Sequence, residues 1–448
     1  MQFTKSHSFR FLGIYSTCLV AVVFAVGAAA AEPNRPLMRE FIGLNGHTVQ
    51  FKPDLYQPVA RLVRDYHPVE WDLGTNTSEA APFPFAKNRV DWSRVYGSWT
   101  AKEWNVDVCL MFDHIKPEKW RNLEADARAY GKAFAREFGP SGKRKLVESV
   151  EIGNEPGNWS DADYTRIYRA MAEGVREGDS KLRIATCNLS AGKSGKYDKS
   201  VECLAKLPDL VDVLNVHTYA MLENWPTWRR SFPEDPRLPK YLKDVEDLCR
   251  WRDAHAAGKP IWVTEFGYDS STKTADKKSS DSKWVGVTDE QQAQWLVRSL
   301  LVFSAMPVER AYIYFFNDND KPSFHASSGI TRNFQPKPSF HALAQLQRAL
   351  GDYRFENIVT NEPGHLRIQQ YRHGASPAKS MWVVWAPSGT DQSFALKLKN
   401  FPGKLVKLEA MTTRPESDSQ SSPKIPQNAL SSYDMKVTES PLYMFFEN

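Results

Sequence analysis

From about residue 40 to residue 350, short apolar runs alternate with longer segments whose apolar residues recur every three to four positions. The runs predict strands at Phe41–Asn45, Val69–Leu73, Val106–Phe112, Leu146–Gly153, Leu182–Cys187, Val211–Val216, Pro260–Thr264 and Arg310–Phe316. Between them, Glu118–Phe138, Asp161–Glu177, Pro239–Ala257 and Asp289–Ala305 carry amphipathic helical patterns. Strand and helix taken alternately, eight times over, predict a closed parallel (β/α)8 barrel. In the second unit Gly74–Lys87 reads as an extended polar loop in place of a helix. After Leu350 the texture changes. Met381–Ala386, Phe394–Leu398, Leu405–Ala410 and Leu442–Phe446 read as strands separated by Gly, Pro and Ser, and Thr412–Ser432 as a long polar surface loop. Residues 351–448 are therefore expected to form a small antiparallel β-sandwich domain after a barrel spanning 32–350.

The first 31 residues stand apart. They hold Lys5 and Arg10, no acid, an apolar run from Phe11 to Val26, and a small-residue tract ending in Ala29-Ala30-Ala31. That order is the pattern of a cleavable secretory leader, which predicts a secreted or periplasmic mature chain beginning at Glu32; the alternative is an uncleaved anchor, since Phe11–Ala31 is just long enough to span a bilayer. No later stretch has the length and apolarity of a membrane span. The formal charge is +5 over the whole chain, and removing Lys5 and Arg10 leaves +3. No Lys/Arg block is interleaved with aromatics, so nucleic acid is not an expected partner. Cys109, Cys187, Cys203 and Cys249 follow the leader without C-x-x-C spacing, which argues against zinc. Cys109 and Cys187 fall in apolar runs and read as core thiols. Cys203 and Cys249 lie in helical stretches, where either free thiols or a bridge would fit.

Two carboxylates stand out by position. Glu155 follows the fourth predicted strand in Glu151-Ile152-Gly153-Asn154-Glu155-Pro156, and Glu265 ends the seventh, Ile261-Trp262-Val263-Thr264. In a parallel barrel the C-terminal strand ends form the face where sites are built. The two acids are 110 positions apart, or roughly 37 residues for each of three β/α units, an ordinary size. They would face one another across the mouth. Such a pair, about 5–5.5 Å apart, meets the requirement for double displacement at a glycosidic carbon, one attacking and one donating a proton. The sixth strand ends in His217-Thr218-Tyr219, and a Tyr219 hydroxyl donating to Glu265 would favour its anion. Asn154 precedes the acid, where its amide would reach a sugar 2-hydroxyl.

Asn154-Glu155-Pro156, His217-x-Tyr219 and Thr264-Glu265-Phe266-Gly267 together resemble the clan A glycoside hydrolases, and in layout family 39 with its secreted bacterial endoglycosidases. Phe41-Ile42-Gly43-Leu44-Asn45 is similar to their first strand, and Gly329-Ile330 with Pro336–Leu343 to their last barrel helix. The resemblance spans nearly all of 40–448. It implies a retaining hydrolase of β-linked oligo- or polysaccharide, with Glu155 as acid/base, Glu265 as nucleophile and no cofactor or metal. Three departures accompany it. The second predicted strand, Glu70-Trp71-Asp72-Leu73, lacks the Arg that usually supports the nucleophile. Gly153 stands where an aromatic often precedes Asn-Glu-Pro. The eighth strand offers Phe where many relatives have a Trp floor.

Further substrate contacts are expected from Trp159, Trp225 and Trp228, whose rings stack on sugar C–H faces, from His114 after the third strand and from Asn317 after the eighth. A transglycosylase would use the same intermediate. A non-catalytic carbohydrate-binding barrel would bind oligosaccharide without turnover. A metal-dependent barrel hydrolase would need clustered His/Asp ligands, and no H-x-H occurs on the first strand. Sugar identity, endo or exo action and oligomeric state are not written in the pattern.

Overall fold

The computed structural model of the protein describes residues 35–415, 417 and 432–448. The leader at 1–31 and most of the loop at Thr412–Ser432 lie outside the described residues. Eight parallel strands form the barrel: β1 (Ile42–Asn45), β2 (Leu62–Pro68), β3 (Asn105–Met111), β4 (Ser149–Ile152), β5 (Arg183–Ser190), β6 (Val213–His217), β7 (Ile261–Phe266) and β8 (Arg310–Ile313). Each is bonded to the next, and β8 returns to β1, which closes the sheet. Helices cover the outside: α1 (Trp92–Thr100), α2 (Leu123–Phe138), α3 (Asp161–Gly178), α4 (Leu242–His255), α5 (Asp289–Ala305) and α6 (Pro338–Leu350). After β5 the crossover uses two short 3-10 turns, Val201–Leu204 and Pro208–Leu210.

The second unit differs from its reading. Val69–Leu73 is a short helix, and the strand lies just before it, at Leu62–Pro68. Arg64, Asp65 and His67 hide the strand in the hydropathy pattern, yet all seven residues are buried. Each polar one has partners. Asp65 accepts from the Thr48 amide at 2.8 Å and the Tyr96 hydroxyl at 2.8 Å. His67 sits between Tyr96 Oη at 2.7 Å and Asp72 Oδ2 at 2.6 Å. Paired groups tolerate burial that lone ones do not.

The lower barrel interior is plugged by Leu62, Ala185, Val213, Trp262 and Tyr312. Gly43 makes room for this plug, because a β-carbon there would stand 2.3 Å from the Tyr312 ring. Above it the filling turns polar: Arg64, Asp107, Glu151, Asn45 and Asn215 are all buried.

Beyond α6, five strands form an antiparallel sheet: β9 (Tyr353–Glu362), β10 (Leu366–His373), β11 (Lys379–Trp385), β13 (Lys404–Ala410) and β15 (Leu442–Glu447). A two-stranded ribbon of β12 (Ser393–Lys399) and β14 (Ser432–Thr438) faces it. The two-residue period of β11 explains the sandwich. Trp382 and Val384 join Leu398 and Val437 of the ribbon in one core, while Met381, Val383 and Trp385 join the barrel core.

Candidate active site

The strand ends bring the two acids together. β4 stops at Ile152, and Gly153 takes φ of 87°, a left-handed turn that glycine adopts without strain. That turn aims Asn154 and Glu155 over the barrel mouth, which accounts for a glycine where an aromatic was the expected neighbour. Glu265 stands on β7 itself. One oxygen from each carboxylate and His217 Nδ1 all lie within 4.8 Å of one another. Their surroundings differ. The Glu265 side chain is 6% exposed and that of Glu155 is 29% exposed, so Glu155 alone of the two reaches well into solvent.

Glu265 is held from several sides. Its Oε1 accepts from Tyr66 Oη at 2.6 Å and from Arg64 Nη1 at 3.1 Å, and its Oε2 accepts from Tyr219 Oη at 2.8 Å. Burial alone would raise this carboxyl. The charges of His217 and Arg64 and the two tyrosine bonds outweigh it, and the net shift is downward. Burial and the neighbouring carboxylate push the Tyr66 and Tyr219 hydroxyls up, so both remain donors. Arg64 overturns one expectation: the second strand does carry an arginine against Glu265. It was missed because the strand was placed seven residues too late. Arg64 also forks onto Glu151, at 2.9 and 2.7 Å, and bonds Asn45 and Asn154, each at 2.9 Å.

On the Glu155 side, His217 Nδ1 is 3.0 Å from Oε1. The Asn154 backbone N–H donates to Asp113 Oδ2 at 3.0 Å, which ties the acid's loop to the end of β3. Burial pushes Asp113 up to about 6 against the pull of its backbone donors. With Asn154 Oδ1 taken by Arg64, its amide nitrogen is the group left for a ligand.

The remaining residues separate. Trp225 is 71% exposed on the loop after β6, and Trp228 on that loop stacks on Phe324 at 4.4 Å. His114 is exposed after β3. Trp159 is a correction: it is buried, edge-on to Phe112 at 5.0 Å, and presents no face to a sugar. Asn317 is half-buried after β8, and its Oδ1 accepts from the Phe334 amide at 2.6 Å and the Thr331 hydroxyl at 2.9 Å, which closes a loop. The eighth-strand aromatic nearest the acids is Tyr314, 6.4 Å from the Tyr219 ring, whereas Phe315 packs into the core. Arg64, Tyr66, Asp113 and Tyr314 were thus missed; alternation counted from Tyr312 along β8 points to Tyr314. Cys109, Cys187, Cys203 and Cys249 are free thiols.

Glu155, His217 and Glu265 are also the one cluster among the described residues with metal-donor chemistry at suitable spacing. A cation there would compete with the Arg64 and tyrosine donors that already balance Glu265.

No family model and no curated protein matches the chain. Solved structures do. The fold is similar to that of a family 39 glycoside hydrolase from the gut symbiont Bacteroides cellulosilyticus WH2, over 93% of this chain and 83% of that one, with 14% identity and a TM-score of 0.66. It is similar to a glucosidase from Croceicoccus marinus over 92% and 96% of the two chains, with 13% identity and a TM-score of 0.62. A family 51 α-L-arabinofuranosidase from Bifidobacterium longum matches over 93% and 98%, with 14% identity and a TM-score of 0.61. These likenesses, at 13–14% identity, show the fold: a (β/α)8 barrel followed by a β-sandwich.

Proposed function

We propose that this chain is a retaining glycoside hydrolase acting on β-linked oligo- or polysaccharide, with Glu265 as nucleophile and Glu155 as acid/base. One observation carries the reading: two carboxylates with oxygens within 4.8 Å stand in opposite surroundings at the mouth of a barrel. That spacing suits direct attack by a carboxylate, because inversion needs about 6.5–9.5 Å to admit a water. Glu265 attacks the anomeric carbon while Glu155 gives its proton to the departing oxygen. Water then gives a proton back to Glu155, its oxygen bonds the anomeric carbon from the opposite face, and Glu265 is released. Arg64, Tyr66 and Tyr219 favour the ionised nucleophile that the first step requires. The glycosidases of similar fold support the assignment.

Export belongs to the same proposal. The leader composition supports it, and no helix among the described residues is long and apolar enough to cross a membrane. The test is a panel of aryl β-glycosides and polysaccharides offered to residues 32–448, with Glu265→Gln as control. Sugar release by the parent chain alone supports the reading; equal release by both overturns it.

A further inference from the structure

Arg230 lies on the loop after β6, buried, with its guanidinium 4.6 Å from the Tyr219 ring and 5.4 Å from the Phe324 ring. One nitrogen donates to the Gly267 carbonyl just past β7, and Nη2 is 3.0 Å from Asp269 Oδ2. The same Nη2 is 3.2 Å from Nδ1 of His325, on the loop after β8. A guanidinium has donors only and keeps its charge. His325 must therefore offer Nδ1 as a lone pair, which places the single proton of a neutral imidazole on Nε2. The ring is 4.6 Å from Tyr219 and 5.6 Å from Tyr314, the tyrosines beside Glu265. Its backbone has φ of 61°, a conformation side chains disfavour and surroundings must enforce. Enforcement is visible two and three residues on, where Lys337 Nζ donates to the Ser327 carbonyl at 3.1 Å and Ser328 donates to Asp269.

We propose that His325 is a permanently neutral hydrogen-bond donor, through Nε2, to a hydroxyl of the sugar held against Glu265, and that Arg230 is the positioning residue that fixes its tautomer. The proposal rests on the glycosidase reading and adds a substrate class: a sugar uncharged at the position facing His325. A uronate carboxylate there would call for a cation, but the Arg230 charge is buried behind Tyr219 and committed to Asp269 and Gly267. A neutral donor also suits the chemistry, since an imidazolium would oppose the positive charge that develops on the sugar ring. The charged or titratable groups around the imidazole are Arg230, Asp269, Glu265, His217, Tyr219 and Tyr314. Burial first, and the Arg230 charge second, push it down to about 4, against Asp269 and Glu265.

The experiment is long-range proton–nitrogen NMR of histidine-labelled protein from about pH 5 to 8, with His325→Gln to assign the signal, joined to kinetics on any glycoside the panel finds. The expected spectrum is a non-titrating, Nε2-protonated imidazole. Arg230→Met is expected to move its titration upward into that range and to add a matching limb to kcat/KM. His325→Phe is expected to lower kcat/KM about tenfold or more, and His325→Gln, which restores an N–H, to recover part of it. An Nδ1-protonated or titrating His325 overturns the tautomer, and a His325→Phe loss within twofold overturns the sugar contact. Turnover of no glycoside overturns the substrate clause together with the glycosidase reading, while the spectrum still decides the tautomer.

Discussion

Glu265 and Glu155 carry the same functional group into opposite surroundings, and the difference lies in what donates to each. Three donors converge on Glu265, while Glu155 faces His217 and solvent. Replacing Glu155 by Ala is expected to lower kcat by about 10²–10⁴-fold on glycosides with poor leaving groups and far less on activated aryl glycosides. Steady-state kinetics on the two classes checks this, and equal losses would remove Glu155 from the acid role. Asp113 supplies a pH signature. Its folded carboxyl is raised to about 6, so it binds its proton more tightly folded than unfolded. Its contribution therefore favours folding below the unfolded value and turns unfavourable as pH rises through about 6. Asp113→Asn is accordingly expected to raise Tm relative to the parent at pH 8 and not at pH 4. The same variant is expected to lose an acid limb of kcat/KM near pH 6, because the parent's carboxylate orients the Asn154–Glu155 loop. The two catalytic candidates were legible from strand ends. Arg64 and Tyr66 were not, because they act from a strand whose pattern is masked.

That strand, β2, shows what blurs a periodic signal. Hydropathy detects strands whose buried residues are apolar, and β2 buries Arg64, Asp65 and His67 against dedicated partners. Pro68, which has no amide to offer a ladder, marks its true end. The prolines and glycines around β9 and β10 carried a comparable clue: Pro363-Gly364 sits at the turn between two strands in which polar residues outnumber apolar ones. By contrast the helical pattern over Asp289–Ala305 matches α5 at both ends, and in the structure Thr288 and Gln291 form a capping box at its start. The polar layer that disguises β2 is also its structural commitment. Arg64→Met would leave Glu151 buried without its cation, at a cost of about 3–5 kcal/mol. Urea unfolding of the variant measures that directly, and a change under about 1 kcal/mol would show that Glu151 is neutralised by other means.

Across the whole molecule, barrel and sandwich share more than a boundary. Tyr371 bonds Ser304 on α5 at 2.9 Å, Trp385 Nε1 donates to Glu234 at 2.7 Å, and Arg298 donates to the Ser388 carbonyl at 2.7 Å. Several sheet side chains belong to the barrel's own core. Residues 32–448 are therefore expected to unfold in one cooperative transition by circular dichroism, and a chain ending at Gly351 to fail to fold. A soluble, cooperatively folded fragment would refute that dependence. Outside the second unit the strand alternation was legible because parallel strands covered on both faces read as continuous apolar runs, whereas Trp159 looked available only because a sequence does not say which way a loop residue turns. Glu265 as the nucleophile that bonds the anomeric carbon is the central assignment. The most direct test is to incubate residues 32–448 with activated 2-deoxy-2-fluoro β-glycosides and map any adduct by peptide mass spectrometry. One glycosyl unit is expected on the peptide containing Glu265 and none in Glu265→Gln. An adduct on another residue, or hydrolysis whose first-formed product is the inverted anomer, would contradict that assignment.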